Sequence, residues 1–482
     1  MKNASLTKRV ARVMSLFGGV QLANIACSIV RTKLVALWIG AVGVGLFGLF
    51  NSALEMLSVF FQMGIRNSAV RDVSMKRGDA AAVGRLSTVV RRWTLWLGIA
   101  GAVLTAAFSP LLSDVTFGDR NHIFGFVLLS IAVLANTVAS GESAVLQGME
   151  RFKRLAKASL IGATSGLLIS VPLLYLFRLQ GVVPTIVAYS LATMIGVLAY
   201  REKLTRHNMT VKSTVGEGVG FMKLGFFMTV SIFASMAASY VFMAWLNIHA
   251  GTEEVGYFQA GYSVINRYMG MVFAAIAIEF YPRLSSVAHS PFRTRLFVSH
   301  EIVMGMMVLL PAATLFLAAD HLIVMLLYDS DFMPALPYIT WGTLGTVFRA
   351  FSWCLAYTML ANGEGKIFVI TETLSALVYL GLSVLGFSLL KIEGLGIAYA
   401  AWYLIYAAIV SVVYFRRYRL TISRPAWGWT IAAFLVVLAA CILKSFDLNL
   451  PIVVIGLIGA VVSFRMLRKH LLPADRSTSA AR

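Results

Sequence analysis

VQLANIACSIVRTKLVALW, running from Val20 to Trp38, is apolar enough to cross a membrane and yet carries Arg31 and Lys33 well inside it. Roughly 20 apolar residues in a helix span about 30 Å of hydrocarbon. A cation at that depth is costly unless it faces water or an anion. Two more arginines are placed the same way, Arg267 in the apolar stretch 256–280 and Arg349 in 337–361. Working outward from this first span, at 14–38, about fourteen stretches meet the length requirement, the last at 449–464. With 482 residues, 59% hydrophobic, 13% charged and a mean hydropathy of +0.81, the chain reads as an all-α polytopic membrane protein. That composition excludes a soluble multidomain enzyme.

The net charge of +20 invites a nucleic-acid partner, but its distribution argues against one. With the N-terminus taken as inside, 33 Lys and Arg residues fall in inside segments, whereas Arg120, Arg178, Lys391 and Lys444 are the outside ones. Such a bias places both ends on the cytoplasmic side and requires an even number of spans. The N-terminal Met1 to Arg12 segment is short, polar and basic and is followed by a full-length span, so no cleaved signal is expected. Cys27, Cys354 and Cys441 sit in predicted spans without metal-ligand spacing and read as packing residues. No Walker sequence, H-E-x-x-H or C-x-x-C occurs, which excludes a self-contained ATP-driven pump and leaves no cofactor implied.

Outside loops are short, and the inside loop 201–220 reads as a hinge between an N-terminal lobe, 1–200, and a C-terminal lobe, 221–415. Residues 416–482 then form two extra spans and a tail. A short internal repeat supports two six-span halves. Val44-Gly45-Leu46-Phe47 opens the second span and Val255-Gly256-Tyr257-Phe258 the eighth, at an offset of 211 residues. Halves of even span number share one orientation, so their pseudo-two-fold axis lies along the membrane normal. The glycine-rich Gly40 to Gly48 segment reads as a tight turn followed by close helix contact.

Polar residues inside the spans fall on stripes, since positions three or four apart share a helix face. Gln21, Asn24, Ser28 and Arg31 make one stripe in the first span, and Asn51, Glu55, Ser58 and Gln62 one in the second. Asn266 and Arg267 lie on the eighth span, Arg349, Trp353 and Tyr357 on the tenth, and Glu372, Ser375, Tyr379 and Ser383 on the eleventh. Arg31 and Glu55 lie at equal depth on either side of the turn, about 17 Å in at 1.5 Å per residue. They read either as a neutralising pair or as a switch that frees Arg31 when Glu55 is protonated. Lys33 is near enough to the outer end to snorkel. Glu372 reads equally as a proton-coupling acid and as an interfacial helix-start acid. The arginine fork suits phosphate or pyrophosphate oxygens, and Trp353 and Tyr357 are candidates for lining a cavity or stacking on sugar.

These residues resemble a known family. The basic N-terminus feeding a first span that ends at Leu37-Trp38-Ile39-Gly40, the two Val-Gly-x-Phe openings and Phe280-Tyr281-Pro282-Arg283-Leu284 are similar to oligosaccharide-lipid flippases of the Wzx type. These form the polysaccharide transporter branch of the multidrug/oligosaccharidyl-lipid/polysaccharide (MOP) superfamily. The resemblance implies a V-shaped pair of lobes that alternates access across the bacterial inner membrane. It implies a lipid-linked anionic glycan as cargo, an undecaprenyl-diphosphate oligosaccharide moved from the cytoplasmic to the periplasmic leaflet. It also implies a cationic cavity, matched here by Arg31, Arg267 and Arg349, while Asn24, Asn51 and Asn266 on the polar stripes read as wall of the same cavity. Glu55 and Glu372 are then the candidates for ion coupling, and a polysaccharide polymerase and chain-length regulator are candidate partners. The two extra spans resemble those of lipid II flippases instead. A drug/cation antiporter of the same superfamily would place carboxylates, not arginines, deep in its spans, and a glycan polymerase would carry a long outside loop.

Overall fold

The computed structural model describes residues 2–204, 209–270, 280 and 283–471, with the side chains of 2–18, 21, 220–228, 267–269, 467 and 469–471 outside the description. Every regular element among them is helical. In chain order these are α1 Lys2–Gln62, α2 Ile65–Met75, α3 Ala80–Ala107, α4 Ser109–Phe117, α5 Ile123–Gly148, α6 Phe152–Phe177, α7 Val182–Ala199 and α8 Val211–Ala250. They continue with α9 Thr252–Ser263, α10 Pro291–Ala318, α11 Asp320–Leu327, α12 Leu336–Ala361, α13 Gly365–Val412, α14 Arg424–Ser445 and α15 Asn449–Leu471.

Nine helical stretches among the described residues are long and apolar enough to cross a membrane, or ten if the bent pair α3 and α4 is one span. Three of these hold two predicted spans each. α1 breaks at Gly40, whose φ of 74° and ψ of −162° suit glycine alone, and α13 breaks at Leu390 and Lys391. The third, 152–199, breaks at the short turn Arg178–Gly181 between α6 and α7. The eighth predicted span, 256–280, lies partly outside the described residues. Leucines that a soluble protein would bury stand open here, with Leu168, Leu326 and Leu389 each 71% exposed, as a lipid-facing surface requires.

Contacts divide the chain into two compact units, Met1–Gly256 with Leu327–Asp331, and Tyr257–Leu326 with Phe332–Arg482. The first is centred on Phe50, Phe61, Phe126, Leu129, Ile186 and Tyr240. Helix α8 belongs to it because Tyr240 hydrogen-bonds Thr116 of α4 and Asn247 Nδ2 donates to the Thr116 carbonyl at 2.9 Å. A half-buried fork also holds this unit together. Arg91 donates to both oxygens of Glu142, at 2.6 and 3.0 Å, and to the Glu202 carbonyl at 3.1 Å.

Within this first unit the glycines of the two Val-Gly-x-Phe sequences, Gly45 and Gly256, make reciprocal close contacts. A Cβ at Gly45 would overlap the carbonyl oxygen of Thr252, and one at Gly256 would overlap that of Ala41. Ala41 and Thr252 are themselves 211 residues apart, as are Gly45 and Gly256, so the contact obeys the repeat read from sequence. Backbone oxygens cannot rotate away as a side chain does. Gly45→Ala and Gly256→Ala are each expected to destabilise by about 1–3 kcal/mol or more. Gly19→Ala, where an added Cβ meets nothing within 4 Å, should be neutral or stabilising. Thermal unfolding in detergent decides, and equal midpoints for all three variants would remove the tight crossing.

The second unit packs Leu309, Val347, Leu355, Val410, Val437 and Cys441 into one core, so the last two helices are part of its body. Glu364, in the turn between α12 and α13, accepts from Arg417 Nη2 at 2.7 Å and from Tyr418 Oη at 2.5 Å. The Arg417 hydrogen bonds, followed by that of Tyr418, hold its carboxyl below the usual carboxylate range. A depressed folded value adds stability above the unfolded value of about 4.3 and loses it as pH falls through the folded value. The midpoint difference between wild type and Glu364→Gln should therefore be constant from neutral pH to about 5 and shrink below about 4.3. A difference unchanged down to pH 3 would show that the clamp does not depend on the ionised acid.

Candidate functional site

In the first unit, α1 and α7 enclose Arg31. Its side chain is 8% exposed, and the guanidinium carbon lies 4.4 Å from the Tyr189 ring centre and 5.0 Å from that of Phe47. Both rings turn a negatively polarised face to the cation, which is worth about 2 kcal/mol where desolvated. Two turns earlier on the same stripe, Asn24 Nδ2 donates to Ser159 Oγ of α6 at 2.9 Å. Its Oδ1 is buried with no acceptor role filled among the described residues, which is costly in hydrocarbon and is the kind of group a polar ligand would satisfy. Asn51 is half-buried, whereas Glu55 one turn on is exposed. The Lys33 ammonium donates to the Tyr328 carbonyl.

In the second unit, α9 continues into the π-helical turn Val264–Met269, which carries Asn266. Asn266 Oδ1 accepts from Arg349 Nη1 at 2.7 Å, and the same Nη1 donates to Tyr399 Oη at 3.2 Å. The guanidinium carbon also sits 5.6 Å from the Tyr403 ring centre. Arg267 lies on the same π turn, but its side chain is outside the described residues. The eleventh-span stripe faces this cluster's helix: Ser375 Oγ accepts from Trp402 Nε1 at 2.8 Å, Tyr379 packs 4.7 Å from Trp402, and Glu372 accepts from the Tyr406 hydroxyl.

Trp353 and Tyr357 lie 4.6 Å apart and pack against Phe280, each at 6.0 Å. The structure thus places them in an aromatic layer with Phe280 and Phe297. Tyr399, Trp402, Tyr403 and Tyr406 escaped the sequence reading. Their spacing of three, one and three residues is a helical stripe and was a usable signal. Tyr189, the partner of Arg31, had none. Glu142, an acid within the predicted span 123–148, is occupied by the Arg91 fork.

A model of the family described as polysaccharide biosynthesis protein matches residues 12–337. The chain belongs to that family. This family member is also 23% identical, over 363 residues, to the lipid III flippase of Escherichia coli strain K12, covering 73% of this chain and 85% of that one. The same figures hold for the lipid III flippase of Shigella flexneri. Among solved structures, the lipid II flippase MurJ in an inward closed conformation superposes with a TM-score of 0.73 at 14% identity, over 95% of this chain and 99% of that one. An inward-facing multidrug resistance MATE transporter gives 0.67 at 12% identity, over 83% and 94%. The fold is shared with that lipid II flippase and with that MATE transporter of the MOP superfamily.

Proposed function

We propose that this polysaccharide biosynthesis protein is a flippase for a polyprenyl-diphosphate-linked oligosaccharide, such as an O-antigen, capsule or exopolysaccharide repeat unit. It carries the head group from the cytoplasmic to the periplasmic leaflet of a bacterial inner membrane, with both termini cytoplasmic. The observation that carries this reading is the presence, in each unit, of a membrane-depth guanidinium oriented by aromatic and amide groups: Arg31 by Tyr189 and Phe47, Arg349 by Asn266, Tyr399 and Tyr403. A diphosphate cannot enter hydrocarbon unsolvated, and arginine forks replace the water it gives up. The family match and the flippase names of the relatives support the same cargo class.

Glu55 and Glu372 are the proposed coupling acids. An exposed carboxylate such as Glu55 on a span is tolerable where its face is hydrated. Glu372 accepts from the Tyr406 hydroxyl, a group with which a carboxyl can share a proton.

Proteoliposomes loaded on one leaflet with fluorescent undecaprenyl-diphosphate trisaccharide test the reading, with accessibility to an added quencher as readout. Protein-dependent transfer of this lipid, and none of a cationic dye, is the expected result. Dye transport without lipid transfer would replace the proposal with drug/cation antiport.

A further inference from the structure

Apart from the arginine sites, the first unit holds a cleft of about 390 Å³ at the basic-loop end of α1. Met63 and Gly64 take positive φ of 46° and 71°, so the chain turns abruptly out of α1 into α2. That turn sets Arg66 and Asn67, on the first turn of α2, beside the same space as Gln62, Gln147 at the end of α5, and Thr229 of α8. Gln62 Oε1 is already engaged, accepting from Ser140 Oγ at 3.0 Å, so its two amide hydrogens remain for a ligand. Val59 and Ile232 supply an apolar wall.

Three carboxamides to one cation is the wrong balance for a phosphate pocket, which gathers arginines and lysines. It is also too polar for a lipid tail. A carboxamide presents donor and acceptor side by side, and neighbouring hydroxyls on a pyranose ring are each donor and acceptor too. The volume lies within the roughly 300–1,000 Å³ of ordinary ligand clefts. We propose that this cleft is a sugar subsite that takes one hexose unit of the glycan, its hydroxyls paired by Gln62, Asn67 and Gln147, with Arg66 meeting an acidic substituent where the sugar carries one. That the sugar arrives there from the cytoplasmic side rests on the flippase reading above.

The test uses the full chain in nanodiscs of zwitterionic lipid, with saturation-transfer NMR of methyl glucoside, methyl galactoside, methyl N-acetylglucosaminide and methyl glucuronide, and inorganic pyrophosphate as a separate probe. At least one neutral glycoside should bind, about tenfold more weakly to Asn67→Ala and to Gln147→Ala, as loss of a hydrogen bond predicts. Arg66→Gln should cancel any advantage of the glucuronide and leave neutral glycosides unchanged, while none of the three variants alters pyrophosphate binding. Wild-type protein that binds none of the glycosides, or binds them as well in the alanine variants, overturns the proposal. So does glycoside binding that requires anionic lipid in the disc. Gln147→Asn, which keeps the amide, serves where an alanine variant melts early, and must bind more tightly than Gln147→Ala. Pyrophosphate binding that is lost in Arg349→Met but intact in the cleft variants reports on the flippase reading separately.

Discussion

Arg349→Met is expected to lower translocation of lipid-linked glycan roughly 10- to 100-fold at unchanged protein abundance, as loss of one or two hydrogen bonds to a charged group implies. Methionine keeps most of the side-chain volume and leaves no buried charge, so the fold should survive. What is lost is a cation held in one orientation by Asn266 and Tyr399 and lying by the Tyr403 ring. Arg349→Lys should recover part of the activity, because an ammonium supplies charge but no planar fork. Tyr399→Phe provides the contrast. It removes one hydroxyl from the Arg349 and Asn266 cluster, costs about 1 kcal/mol of stability, and leaves the guanidinium in place, so transport should fall only a few-fold. Normal leaflet exchange in both Arg349→Met and Arg349→Ala would show that this arginine serves packing alone.

The polar stripes were readable because a residue such as Asn24 or Arg349 violates a simple pattern, an apolar run about 20 residues long, and the violation marks its own place. Close contacts were partly readable: Gly40, Gly45 and Gly256 stood out as glycines, and Gly40 does break α1. That Gly45 would meet Thr252 and Gly256 would meet Ala41 depends on helix placement, which no local pattern carries. Tyr399, Trp402, Tyr403 and Tyr406 were passed over for a different reason. Aromatic residues are common at membrane interfaces, so a tyrosine stripe that turns inward toward Arg349 and Glu372 looks, as text, like one that turns out to lipid. Glu142 shows the converse. Its position invites a relay, and only the approach of Arg91, 51 residues away in sequence, reveals a structural fork.

Lys444→Met should be the most damaging substitution for stability, at about 3–5 kcal/mol. Read from sequence as an outside-loop cation, Lys444 is in fact 7% exposed, at the end of α14, and Asp320, which opens α11, is fully buried. Its ammonium donates to Asp320 Oδ1 at 2.6 Å and to Asn449 Oδ1, at the start of α15, at 2.9 Å. One side chain thereby ties the last two helices to α11. Deleting it strands a buried carboxylate whose second oxygen already has no hydrogen-bond partner among the described residues, and an uncompensated charge costs more than the pair contributes. Asp320→Asn should be harmful in the same way, since it leaves the ammonium buried, although the amide oxygen can still accept from the His321 N–H as Asp320 Oδ1 does at 2.7 Å. The double variant Lys444→Met with Asp320→Asn removes both charges and should recover most of the loss, giving a coupling of several kcal/mol in a double-mutant cycle followed by detergent unfolding. Losses that simply add would mean that the two charges act independently, and that the apolar core around Val437 and Cys441 holds the last hairpin without them.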